Sequence, residues 1–303
     1  MAEAKGRVIA VANMKGGVGK TTTVVMLAEG FAAQGKRVVV IDLDAQANAS
    51  YCFASDDELK LIYDKRRSIT SFFADRIVYS DAKPISKYLN KDVSKVTKAG
   101  ERLPIDLIAA HPRLRLLERE AVLILAEKNY TGPKSLEGRS LKVLEEALAA
   151  LRASHDVVLF DCAPGISAFT EVAIRLSDMV LVPMIPDFLS TLGFDAFRAS
   201  IWEDAILVKS ALPKPAKSPF LLPTRVNATK RQHRETLEGL EAEAAVPGPV
   251  YTLFDIRIHN QAPIERAMDP ELFDGAPTFE QKWEQSVGLV RGLADETWRR
   301  LNG

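Results

Sequence analysis

Seven short apolar runs punctuate the chain: Val8–Ala12, Val38–Asp42, Ile105–Ala109, Val157–Asp161, Met179–Met184, Leu221–Val226 and Val250–Leu253. Most are apolar throughout instead of alternating, which is the pattern of strands covered on both faces. Segments of helical period fall between them: Thr21–Gln34, Pro112–Glu127, Ser140–Ser154, Ala168–Leu176, Gly193–Ser210, Lys230–Ala244 and Thr278–Leu301. Gly35 follows the first of these as a C-terminal stop. Strands that alternate with helices predict an α/β fold, a mostly parallel twisted sheet with helices on both faces. Right-handed crossovers then gather the C-terminal ends of the strands along one edge, where ligands bind. Residues 55–104 are the least regular stretch and read as a variable insertion. The Pro-rich segment 211–219 reads as a loop. Core strands continue on both sides of each, so residues 1–303 are expected to form a single domain.

Composition adds a compartment. At 47% hydrophobic residues the 303-residue chain is ordinary for a globular protein. Two cysteines, Cys52 and Cys162, cannot staple a chain of this length, which fits a reducing cytosol. The first seven residues lack the apolar stretch of a signal peptide, and no apolar run approaches the roughly 20 residues that span a bilayer. The expectation is a soluble, cytoplasmic protein. A formal net charge of zero hides an asymmetry. From Ala205 to Arg234 there are seven basic residues and no acidic one: Lys209, Lys214, Lys217, Arg225, Lys230, Arg231 and Arg234. Segment 60–102 carries eleven basic and five acidic residues, and 235–303 six basic and thirteen acidic. Local patches, not the total, decide whether an anionic partner is held.

The most specific chemistry follows the first apolar run. Lys15-Gly16-Gly17-Val18-Gly19-Lys20-Thr21-Thr22 lies between a buried strand and a helix start. Glycines there let backbone N–H groups crowd an anion, and the helix N-terminus adds its positive dipole end. In such a loop Lys20 reaches the β- and γ-phosphates and the Thr21 hydroxyl binds Mg²⁺. The loop departs from the usual G-x-x-x-x-G-K-[ST] pattern: Met14 stands at the first glycine position and a second lysine, Lys15, opens the loop. Two further aspartate motifs end strands, Val38-Val39-Val40-Ile41-Asp42-Leu43-Asp44 and Val157-Val158-Leu159-Phe160-Asp161-Cys162-Ala163-Pro164-Gly165. A carboxylate delivered by a buried strand suits the Mg²⁺ shell.

Lys-Gly-Gly-x-Gly-Lys-Thr resembles the deviant P-loop of the ParA/MinD group of ATPases, and the two aspartate motifs resemble that group's switch regions. The resemblance extends through Met179–Ser190 and Leu222–Asn227 and covers most of the chain outside 55–104. It implies ATP and Mg²⁺ as ligands. Residues Gly16, Gly17, Val18, Gly19, Lys20, Thr21 and Thr22 would hold the phosphates. Thr21, Asp42 and Asp161 would stand near the metal, and Asp44 would orient the attacking water. Lys15 would cross a dimer interface to the partner subunit's nucleotide and neutralise charge developing in the transition state, as an arginine finger does. Asn227 is a candidate reader of the adenine edge, since an amide both donates and accepts; a turn or capping role is the competing reading.

The basic run suggests what the ATPase acts on. Lys230, Arg231 and Arg234 fall in the first turn of a predicted helix, where the dipole disfavours each cation by roughly 0.3–1 kcal/mol. Together with Lys214, Lys217 and Arg225 they form a candidate surface for nonspecific double-stranded DNA. A second series, Lys83, Lys87, Lys91, Lys95 and Lys98, has a spacing near four and could form one cationic stripe. The resemblance implies a ParA-type partitioning or positioning ATPase that forms a homodimer when ATP-bound and associates with the nucleoid. A ParB-like adaptor on the cargo would stimulate slow hydrolysis and release. With no helix-turn-helix pattern read before the P-loop, the larger plasmid type that also represses its operon is not expected. Alternatives are a MinD-like membrane-associated ATPase and a P-loop metabolic ligase. The apolar face of the tail (Trp283, Val287, Val290, Ala294, Leu301) reads as core packing in place of a membrane anchor, and no membrane is expected as a partner.

Overall fold

Seven strands lie side by side, all parallel, in the order β5-β2-β6-β1-β7-β8-β9. They are β1 (Arg7–Val11), β2 (Val38–Asp42), β5 (Ile105–Ile108), β6 (Val157–Asp161), β7 (Met179–Met184), β8 (Phe220–Pro223) and β9 (Thr252–Leu253). A two-residue hairpin, β3 (Thr97–Lys98) and β4 (Glu101–Arg102), stands apart from the sheet. The computed structural model describes residues 6–128, 131, 135–203, 212–269, 272–273 and 275–303. Lys209 and the end of the helix predicted over 193–210 lie outside the described residues.

The apolar runs behave as their composition predicts. Alternate residues of β1, β2 and β6 enter two separate core layers. Val8, Ala10, Val39, Ile41, Val158 and Phe160 face one, and Ile9, Val11, Val38, Val40, Val157 and Leu159 face the other. The first layer is closed by α4 (Ile69–Phe73), α5 (Leu114–Glu127), α6 (Leu136–Ser154), α7 (Ala168–Leu176), α8 (Phe188–Trp202) and α9 (Arg231–Ala244). The second is closed by α1 (Lys20–Ala33), α2 (Asn48–Phe53), α3 (Asp56–Asp64), α10 (Ala262–Ala267), α11 (Phe279–Trp283) and α12 (Val287–Asn302). β1 sits between β6 and β7, so the loop after β1 opens where the chain's crossovers change sides.

The structure adds detail in three segments. Residues 55–104 are woven into the fold: Phe72, Phe73 and Tyr88 join one core layer, and Leu59, Ile62 and Val96 the other. The lysine series there is not a helical stripe. Lys83 pairs with Asp75 and Asp81, Lys98 donates to the Ala33 carbonyl, and among the described residues the segment between them holds only a three-residue 3₁₀ turn, Ile85–Lys87, and the start of the hairpin. The predicted tail helix is broken at Glu284, whose φ is +45°, and continues through a 3₁₀ turn into α12.

That break lets the tail clamp α1 from two directions. Glu29 of α1 is buried and accepts from Lys282 Nζ at 2.5 Å and Trp283 Nε1 at 2.7 Å. One turn of chain later, α12 packs so closely that a Cβ at Gly30 would lie 3.0 Å from the Val290 carbonyl oxygen. Trp283, Val290, Ala294 and Leu301 are all buried in this layer, as expected of core packing. Because α1 starts at the P-loop, the tail braces the element that carries the loop.

Removing one partner of a buried ion pair leaves the other charge uncompensated. Glu29→Ala is therefore expected to lower unfolding free energy by about 3–5 kcal/mol, read by urea denaturation followed by circular dichroism.

Candidate functional site

The loop between β1 and α1 is held from its two flanks. Asn13 donates its amide to the Pro183 carbonyl of β7 at 2.8 Å and accepts from the Lys15 N–H at 2.9 Å. On the other side Thr224, just after β8, donates its hydroxyl to the Val18 carbonyl at 2.8 Å, and Arg225 donates to the Gly17 carbonyl at 3.1 Å. Gly17 and Gly19 have φ of +72° and +89°, which a side chain would strain. A Cβ at Gly16 or Gly17 would meet nothing within 4 Å, and Gly17 and Gly19 line an open cleft.

Lys20 folds back over this loop and donates to the Lys15 carbonyl at 2.9 Å. It is 7% exposed, and burial pushes its pKa down although Asp161, Cys162 and Asp44 pull it up. A buried ammonium bonded to one backbone carbonyl is poised for a stronger anion. Next along α1, Thr21 donates to Asp161 Oδ2 at 2.8 Å. Asp161 Oδ1 is buried and has no hydrogen-bond partner. An orphaned carboxylate oxygen beside a threonine hydroxyl fits a Mg²⁺ hydration shell. Among the described residues no three His, Cys, Asp or Glu side chains cluster as a closed metal cage. The donor set is that of an ion shared with water and phosphate oxygens.

The two switch aspartates divide their work. Asp42 is fully buried and accepts from the Asp44 N–H (2.9 Å), the Ser50 N–H (2.9 Å) and the Ser50 hydroxyl (2.7 Å). Both its oxygens accept from protein donors, so Asp42 ties down the 44–50 turn beside the expected metal position. Asp44 instead lines the cleft and accepts from the Gln46 N–H at 3.0 Å. Burial raises the Asp42 pKa to about 6 against the pull of those hydrogen bonds. Burial, and then the charge of Asp42 beside it, raises Asp161 well above the usual carboxylate range. Burial of Cys162 raises its thiol pKa too, consistent with a small packed residue.

A cleft of about 470 Å³ runs from Gly17, Lys20 and Thr21 past Thr224 and Arg225 to Ile258–Gln261 and Glu265. Asn227 does not line it. Its side chain accepts from Thr229 in a turn, and its N–H donates to the ring of the buried His233. Thr224, Arg225 and residues of the 258–265 segment, in place of Asn227, line the cleft beyond the phosphate loop. That segment was not singled out in the sequence because it carries no glycine or acidic motif. His233 was missed as well; a single histidine on a polar helix gave no signal.

The basic run does not form one patch. Lys214 and Lys217 precede β8 and lie at the N-terminal edge of the sheet, whereas Lys230, Arg231 and Arg234 follow it at the C-terminal edge. Arg225 belongs to the cleft. Lys230, Arg231 and Arg234 are exposed at the start of α9, where Arg231 pairs with Glu235 at 2.6 Å. Lys15, expected to reach a second subunit, donates to Ser190 Oγ at 2.8 Å within its own chain, with Asp187 Oδ1 at 3.5 Å.

Comparison with known proteins bears on the family and the fold. A family model described as an AAA domain, AAA_31, matches residues 6–209. The chain is 30% identical to Protein IncC of Escherichia coli, over 97% of this chain and 70% of that protein. It spans only 43%, 62% and 59% of the length of the first curated relatives it matches. Among solved structures it is similar to a cobyrinic acid a,c-diamide synthase from Mycobacterium smegmatis with bound ATP analog and magnesium (TM-score 0.61, 24% identity, 98% of this chain and 96% of that one). It is also similar to pNOB8 ParA bound to nonspecific DNA (TM-score 0.63, 21% identity, 98% and 99%). At these identities the two structures establish the shared fold alone.

The raised carboxyl pKa values have a sign. Between the unfolded aspartate value near 4 and the folded value of about 6 for Asp42, the native chain holds protons that the unfolded chain has released. Stability of the ligand-free protein is therefore expected to fall as pH rises through that window, by roughly 1.4 kcal/mol for each unit of displaced pKa. Asp161→Asn keeps an acceptor for Thr21 and removes one of the two charges, so it should flatten the fall. Urea midpoints at pH 5, 6, 7 and 8 measure both.

Proposed function

The chain belongs to the ParA/MinD family of P-loop ATPases, and we propose that it is an ATP-driven partitioning or positioning ATPase whose ATP-bound dimer holds DNA without regard to sequence. The observation that carries the reading is a phosphate loop with two lysines in different settings. Lys20 lies buried over the loop, and Lys15 is directed to the surface at α8.

In this reading the N–H groups of 16–22 and the Lys20 ammonium hold the β- and γ-phosphates. Thr21 and Asp161, whose Oδ1 has no protein partner, would hold the Mg²⁺ that accompanies the nucleotide. Bound Mg²⁺ supplies charge neutralisation between the phosphate oxygens. Asp44, on the cleft wall, orients the attacking water and holds its proton. The turn that Asp42 organises sets where Asp44 stands. Lys15 of each subunit acts on the partner subunit's nucleotide, so hydrolysis waits on pairing.

Lys230, Arg231 and Arg234 supply the DNA surface. Within 226–233 of the chain, Asn227 and His233 join the start of α9 to the residues that hold the P-loop. Nucleotide state and the orientation of the cationic turn can thus be linked. A ParB-like adaptor on the cargo would stimulate slow hydrolysis, release the pair from DNA and so tie the protein to the nucleoid. A MinD-like membrane role is less supported, because the apolar side of the C-terminal segment is spent on the α1 layer. A ligase role has the shared fold in its favour and no feature that needs Lys15.

Three phosphate contacts per subunit make six per dimer, which predicts a slope of log K against log salt of about −5. ATP-dependent binding to random duplex DNA, with anionic vesicles as the comparison, tests this. Lys230→Ala/Arg231→Ala/Arg234→Ala should reduce the slope to near zero while ATP binding persists. Lys15→Gln should bind ATP yet fail to dimerise or hold DNA. Vesicle binding in place of DNA binding would sink the reading.

A further inference from the structure

The position of Lys15 is specific. Its ammonium reaches the first turn of α8, where it donates to Ser190 Oγ at 2.8 Å and lies 3.5 Å from Asp187 Oδ1. Asp187 is also the N-cap of α8, and the same Oδ1 accepts from the Ser190 N–H at 2.7 Å. Cap and lysine anchor are therefore one carboxylate. Burial pushes the Asp187 carboxyl up, but the Ser190 donors and Lys15 outweigh it and hold it below the usual range, as expected of a carboxylate that stays charged opposite the lysine. The side chains are partly covered, 36% exposed for Lys15 and 26% for Asp187. Around them the surface is apolar: Phe188 and Leu189 in the same turn, Leu192 in the next, and Met14 in the loop are all exposed.

We propose that the Asp187–Ser190 turn is an intrachain anchor that holds Lys15 in the unpaired subunit, and that a second copy of the chain, docking on the apolar surface around Phe188 and Leu189, must release it. The inference rests on the in-trans role of Lys15 given above. One ammonium cannot bond its own Ser190 and another subunit's phosphates at once, so the two contacts compete. The anchor raises the concentration at which ATP-bound subunits pair and keeps an unpaired lysine from acting on its own nucleotide. Asp187 and Ser190 are positioning residues, since neither lines the nucleotide cleft.

Asp187→Asn removes the charge and keeps a good N-cap; Ser190→Ala removes the shorter hydrogen bond. Each is expected to lower the dimer Kd in ATP about three- to tenfold in sedimentation equilibrium, with ATP affinity unchanged and Ser190→Thr restoring the wild-type value. A merely structural role for either residue would raise the dimer Kd or leave it unchanged, and would not lower it. An unchanged or raised dimer Kd in both single variants overturns the anchor. If Lys15→Gln itself pairs and turns over ATP like the wild type, the in-trans reading fails first. Phe188→Ser should raise the dimer Kd, and an unaltered value would remove the proposed docking surface.

Discussion

Asp42 and Asp161 are register partners on adjacent parallel strands, β2 and β6, and both end their strands fully out of water. Everything around the phosphate loop answers the electrostatic problem this creates. Two carboxylates in low dielectric repel, and burial penalises each further. Asp42 is satisfied by three protein donors from the turn that follows it. Asp161 has one, Thr21, and its second oxygen has none. The charge of Lys20 is near but is bonded to a backbone carbonyl. The sheet thus builds an acidic floor that its own side chains only partly satisfy, directly beneath a loop shaped for an anion. A divalent cation held by Thr21 and Asp161 would relieve both sides, so a nucleotide and its metal fit this site together.

This arrangement depends on distant packing. Register fixes where the aspartates stand, and register in a sheet buried on both faces is fixed by apolar residues that have no other place to go. The loop's height above the floor depends on α1, which the tail braces through Glu29 and Gly30. The loop's flanks depend on Pro183 and Thr224, residues at the ends of β7 and β8. The site is therefore an edge property of the whole sheet, and residues far apart in sequence contribute to one small volume.

That distribution explains what the sequence reveals. Strands with continuous apolar runs were legible to within a residue or two, and β2, β6 and β7 match their expected ranges. The P-loop was legible because its chemistry is local: glycines, a lysine and a threonine must be neighbours. Asp42 was legible as an aspartate at a strand end, but its hydrogen bonds to Ser50, eight residues on, were not. The start of α8 was missed because Asp187 follows directly on an apolar strand, and a capping side chain cannot be separated from a switch residue by spacing. The basic run misled for a similar reason. Proximity along the chain suggested one surface, but a buried strand runs through it and carries its two ends to opposite edges of the sheet.

The same separation gives the surviving cations a meaning. Lys230, Arg231 and Arg234 stand at the edge that also carries the phosphate loop, and Arg225, between them and β8, bonds the loop itself. Arg225 does so with a φ of +49°, a conformation that costs a non-glycine residue energy and persists only where its surroundings hold it. Here the Thr224 and Arg225 bonds to the loop on one side, and the Asn227–His233 bond to α9 on the other, hold the turn between them. A shift of the loop's carbonyls on filling would be felt by this turn before any other part of the surface. The opposite flank has the matching feature in Lys15 and α8. One loop therefore touches a cationic turn on one side and an apolar, lysine-bearing turn on the other, and its occupancy can act on both at once.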